Sequence, residues 1–140
     1  MSYLDLDKLT EEDEVIRRNV HKLAEEVLRP LSIKVDRMDP GSRVAPGSPL
    51  YGAIREMKRM GLHRIYLPRD RGGLGLTNLQ RYIIDEELGW ASLGFATLIG
   101  VDAIPFTIAS LFGSEKVKEE LVKPWLEDTE GRYIGCWGCY

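Results

Sequence analysis

Few side chains in this sequence are of types that start chemistry, and the most conspicuous are two cysteines. Cys136 and Cys139 flank Trp137-Gly138 in a Cys-x-x-Cys pair, the spacing used by redox dithiols and by half of a zinc site. A thioredoxin-type pair lowers its thiol pKa at a helix N-terminus within a βαβ unit, and no such unit precedes this one. Zinc needs two further ligands, and beyond the pair only the distant His21 and His63 remain. Small apolar packing is the ordinary use of free cysteines. The two histidines have no cysteine or carboxylate at ligand spacing, so a solvated or capping role is expected for each. "RDRGGLGL", residues 69–76, is glycine-rich, yet it lacks the Lys-Ser/Thr of a phosphate loop and the strand that must precede a dinucleotide turn. Its glycines are expected to turn the chain between two helices.

The elements that would position these groups look helical. With 140 residues, 44% of them hydrophobic, the chain can bury one substantial core and is too short for two ordinary domains. A net charge of -3, with basic residues scattered among acidic ones, creates no field that would draw nucleic acid or an anionic membrane. Two cysteines imply no disulfide framework, and the first thirty residues lack the basic-then-apolar order of a secretion signal. The acidic start "LDLDKLTEEDE" also argues against an organelle transit peptide, so a cytoplasmic protein is expected.

Thr10 ahead of Glu11, Glu12 and Asp13 reads as a capping box, with Ile16, Val20, Leu23, Ala24 and Val27 on one face of the helix that follows. Pro30 is expected to break that helix, Leu31, Val35 and Met38 to form a shorter one, and "PGSRVAPGSP" to be a loop. Ser48 and Pro49 read as N-cap and first helical residue, with Leu50, Ile54 and Met57 inward and Gly61 as the stop. A further helix is expected from about Thr77 to Gly89 with Leu79, Tyr82, Ile83 and Glu86 at helical spacing, and another after Ser114 with Val117, Leu121 and Val122 in a stripe. After Gly131, "RYIGCWGCY" alternates aromatics and glycines in the manner of a strand.

Between these lies "LGFATLIGVDAIPFTIASLFG", residues 93–113, long enough to cross a bilayer and bearing one charge, Asp102. An aspartate at the centre of a spanning helix costs about 2.5–3.5 kcal/mol, and Pro105, Gly94 and Gly100 weaken the helix further. A helix apolar all round can equally be the buried centre of a bundle, which is the reading adopted.

Taken in order, "LPRDRGGLGL", "YIIDEELGWASLGFATLIG" and "FGSEKVKEELVKPWLEDTEGRYIGCWGCY" resemble the N-terminal half of the flavin-dependent acyl-CoA dehydrogenases, over about Leu9 to Tyr140. The sequence departs from the family pattern at Arg132, where an acidic residue is usual, and at Tyr140, where threonine is usual. The resemblance implies an all-α bundle of five or six helices over residues 1–131, with residues 132–140 as the first strand of a middle β-domain. It implies FAD as cofactor, with Trp137, Cys139 and Tyr140 beside the flavin ring, and an acyl-CoA substrate whose tunnel is lined by Ala96, Thr97, Gly100 and Ile104. Those four positions share one helix face by spacing alone. Gly100 matches the place where medium-chain members put a glutamate at the tunnel floor, so a deeper or wider pocket is expected, suited to a longer, branched or ring-bearing acyl group.

Family chemistry is α,β-dehydrogenation, with electron-transfer flavoprotein as acceptor and a homotetramer as the assembly. The base comes from a C-terminal helical domain, so these 140 residues alone are expected to be inactive and to bind FAD weakly or not at all. An oxidase on the same fold, or a helical interaction module without catalysis, are the alternatives.

Overall fold

The structure, a computed structural model, describes residues 9–136 and 138. Helix α1 (Glu11–Leu23) begins at the expected capping box: the Asp13 amide donates to Thr10 Oγ1 at 3.2 Å and the Thr10 amide donates to Asp13 Oδ2 at 2.9 Å. The helix does not break at Pro30. A π-helical turn, Ala24–Leu28, carries it into α2 (Arg29–Asp36), with Pro30 in the first turn of α2. Proline lacks an amide hydrogen and its ring collides with the carbonyl one turn back, and a widened turn just before it relieves both demands. The same device recurs at the other end of the chain: α7 (Glu115–Val117), a π turn over Lys118–Val122, then α8 (Lys123–Leu126) containing Pro124.

The stretch expected to be a loop contains one short helix, α3 (Pro40–Arg43), capped by Asp39, whose Oδ1 accepts from the Ser42 amide at 3.1 Å. Helix α4 (Pro49–Arg59) runs from the Ser48 cap to Gly61, which takes the left-handed conformation (φ 77°) that ends it. Helix α5 (Asn78–Ala91) starts at a Thr77–Gln80 capping box, and the extended Ser92 separates it from α6 (Leu93–Phe112), which its side chain caps.

Helix α1 lies along α5, α5 along α6, and α2 against α4. Between them sits a core that includes Val20, Leu28, Met57, Leu88 and Ile99. Full burial of each such side chain is worth about 1.5–3 kcal/mol. A smaller cluster, Leu67, Ala103 and Trp125, lies between α6 and α8.

Three expected faces are corrected, the shortest being the Val117, Leu121 and Val122 stripe, where Val122 is buried but Leu121 is exposed. On α5 the inward residues are Gln80, Ile83, Ile84, Leu88 and Ala91, while Leu79 and Tyr82 are exposed, because the contact with α1 turns the helix about one residue from the stripe read off the sequence. On α6 only Phe95, Ile99, Asp102, Ala103 and Ser110 are buried, so this helix is not the enclosed centre of the bundle. Leu93 is 75% exposed and Phe112 81% exposed. Residues 132–136 belong to no helix or strand among the described residues, and a strand there would need a partner strand to pair with.

Candidate functional site

The open side of α6 forms one wall of an apolar groove of about 570 Å³. Ala96, Thr97, Gly100 and Ile104, the four positions singled out from sequence, all line it. Facing them are Asp85 and Gly89 of α5 and Tyr66 of the loop after α4. The hollow exists because two side chains are missing. A Cβ at Gly89 would meet nothing within 4 Å, and one at Gly100 would meet only the Tyr66 hydroxyl, at 3.9 Å. Larger residues at either glycine would fill the space between the helices.

One polar pair interrupts the apolar lining. The Tyr66 hydroxyl donates to Asp85 Oδ1 at 2.9 Å. Burial, together with that hydrogen bond and the charge of Asp85, pushes the Tyr66 hydroxyl above its ordinary pKa, so it remains a donor across the physiological range. Thr107 also lines the groove, and its Oγ1 is buried without a hydrogen-bond partner among the described residues. None of Tyr66, Asp85 and Gly89 was singled out from sequence, because each reaches the groove from another segment.

The opposite side of α6 is closed and charged. Asp102 is 1% exposed; its Oδ2 accepts from the Trp125 indole at 3.0 Å and lies 3.3 Å from Lys58 Nζ. Lys58, also 1% exposed, makes a second ion pair with Asp128 Oδ2 at 3.3 Å and donates to the Tyr133 carbonyl. Asp102 Oδ1 accepts from the Gly135 amide at 2.6 Å, and Asp128 Oδ2 from the Tyr133 amide at 3.0 Å. The network therefore ties the segment after α8 to the back of the groove helix. Burial works against the charged form of Asp128, yet the amides of Tyr133, Arg132 and Glu130 and the Lys58 ammonium outweigh it and hold its pKa at about 2. A lone aspartate in an apolar helix is a signal for a buried polar partner, which the reading of the sequence did not draw; nothing local pointed to Lys58.

His63 is buried here rather than solvated. Its ring meets Trp125 edge-on at 5.0 Å, with Nε2 3.4 Å from the Leu126 carbonyl. Burial, and then the neighbouring Lys58 charge, lowers its pKa to about 4. His21 lies against α5, its Nδ1 2.7 Å from Glu87 and its ring 5.1 Å from Trp90. The Glu87 partner is 66 positions away, beyond any spacing argument, but Glu25, at i+4, also lies 3.8 Å from Nε2, so a carboxylate did stand at helical spacing, contrary to the expectation from sequence. Cys136 is exposed and in no disulfide among the described residues, and Trp137, Cys139 and Tyr140, the residues expected beside a flavin, lie outside them.

Residues 10–128 match the family described as acyl-CoA dehydrogenase, N-terminal domain. Over 111 residues the chain is 26% identical to acryloyl-CoA reductase (NADH) of Anaerotignum propionicum, an alignment covering 79% of this chain and 26% of that protein. The chain thus spans about a quarter of the length of that relative. The family match takes in every helix from α1 to α8 and both faces of α6, and on that extent the chain belongs to the acyl-CoA dehydrogenase N-terminal domain family.

Proposed function

We propose that this chain is the N-terminal helical part of a flavin-dependent, cytoplasmic acyl-CoA dehydrogenase, in which the Gly100 face of α6 forms a wall of the acyl pocket and the segment after Gly131 leads to the flavin. The observation that carries this reading is the groove: an apolar hollow in a family whose substrates are acyl thioesters, opened where Gly89 and Gly100 lack side chains. The reaction is α,β-dehydrogenation, with the proton-abstracting base, the tetramer contacts and the docking site for electron-transfer flavoprotein supplied outside these residues. The groove wall contributes binding and orientation of the acyl chain and exclusion of water from it. The relative's name specifies a reductase, and an apolar wall holds saturated and unsaturated chains alike, so the direction of reaction depends on the electron partner.

FAD, when bound, supplies the hydride acceptor. Its fit can be judged at the start of the tail, where the Gly135 amide is occupied by Asp102 and the Tyr133 carbonyl by Lys58. Those groups are engaged in anchoring, and in this reading the contacts with the flavin are assigned, by the family resemblance alone, to Trp137, Cys139 and Tyr140, which lie outside the described residues. The experiment is Gly100→Glu in the complete enzyme, with kcat/KM measured over a series of acyl-CoA chain lengths. The longest, branched and ring-bearing substrates should be lost first; an unchanged profile contradicts the placement of the acyl chain at Gly100.

A further inference from the structure

We propose that the groove selects an acyl group bearing a hydrogen-bond donor, in the simplest case a hydroxyl, part-way along its chain, with Asp85 as the acceptor. This rests on the acyl-pocket reading and goes beyond it by naming the substrate class. Asp85 is a half-buried carboxylate in an otherwise apolar wall. Tyr66 fixes its orientation by donating to Oδ1, while Oδ2 accepts no hydrogen bond among the described residues. A plain alkyl chain seated in the groove would strip water from that oxygen and return nothing, and the penalty is larger for an ionised group than for a neutral one. A hydroxyl on the chain would replace the lost water.

Space and sign support the same class. A Cβ at Gly100 would have only the Tyr66 hydroxyl within 4 Å, so the glycine keeps the α6 wall free of a side chain beside the polar pair. Thr107 Oγ1, buried in the same groove and without a partner among the described residues, offers a second polar point about two helical turns further along α6. The negative charge of Asp85 disfavours acyl groups ending in a carboxylate, which a merely roomy pocket would accept.

The test is steady-state kinetics of the complete enzyme with octanoyl-CoA, monohydroxyoctanoyl-CoAs with the hydroxyl stepped along the chain, and suberyl-CoA as the anionic control. One hydroxyl position should raise kcat/KM over octanoyl-CoA by about 10-fold to 100-fold, the range of a hydrogen bond to a charged group, and suberyl-CoA should be the poorest substrate. Asp85→Leu should reverse the preference in favour of octanoyl-CoA; Asp85→Asn, which keeps an acceptor for Tyr66 and for the substrate, should retain a reduced preference. Equal use of octanoyl-CoA and every hydroxy analogue, or a preference that survives Asp85→Leu, overturns the inference and leaves the acyl pocket standing. No detectable binding or turnover of octanoyl-CoA and of every hydroxy analogue alike overturns the acyl-pocket reading itself.

Discussion

The two sides of α6 invert the usual arrangement of a soluble helix. The side that faces the groove is apolar and open, with Leu93, Ile104 and Ile108 exposed; the side packed inward carries Asp102, locked to Lys58 and Trp125. A charge can be buried where a counter-charge and donors satisfy it, and the apolar surface left outside marks where another body belongs. One helix thereby does two jobs, anchoring the C-terminal tail on one side and bounding a hollow on the other.

The largest effect should come from removing the cation on the closed side. Lys58→Ala leaves Asp102 and Asp128 buried without their counter-charge, and a loss of about 3–5 kcal/mol is expected, measured by urea unfolding followed by circular dichroism. A loss below about 1 kcal/mol would mean that water reaches the pair.

Acid should next dissect the same side. His63 has a folded-state pKa of about 4 against 6.5 for the free side chain. Between those values the unfolded chain takes up a proton that the folded chain refuses, so stability falls as pH drops from 6.5 towards 4. A further loss follows from 3.8 towards 2 as Asp128 protonates. His63→Phe should flatten the first limb and leave the second.

The finest contrast uses one glycine from each side. A Cβ at Gly135 would fall inside contact distance of the Asp102 carbonyl oxygen and Pro105, so Gly135→Ala should destabilise by about 1–3 kcal/mol. Gly100→Ala makes only an ordinary contact with the Tyr66 hydroxyl, in a helix interior, and should stabilise by about 0.5–1 kcal/mol. Equal signs for the two in thermal melts would refute the distinction between the faces.

What was legible in the sequence follows from the range of the signal. Thr10, Ser48 and Ser114 cap their helices as expected, because a cap is decided within four residues; Thr77, expected only as a helix start, caps its helix too. Ala96, Thr97, Gly100 and Ile104 share a face by periodicity, whatever surrounds them. Pro30 misled because its local cost is real and the π turn that absorbs it is a backbone choice no composition announces. Tyr66, Asp85 and the Lys58–Asp102–Asp128 network were not legible, since each joins segments distant in the chain and only packing brings them together.

The central claim is that the Gly100 face of α6 receives the acyl chain. Methyl-resolved NMR of the 140-residue chain, titrated with octanoyl-CoA and with its best hydroxy analogue, tests it most directly and detects weak binding. Saturable shifts at Ala96, Thr97 and Ile104, with the core methyls of Val20, Ile54 and Leu28 unmoved, are the predicted result. Shifts confined to other surfaces, or none at saturating ligand, would contradict it.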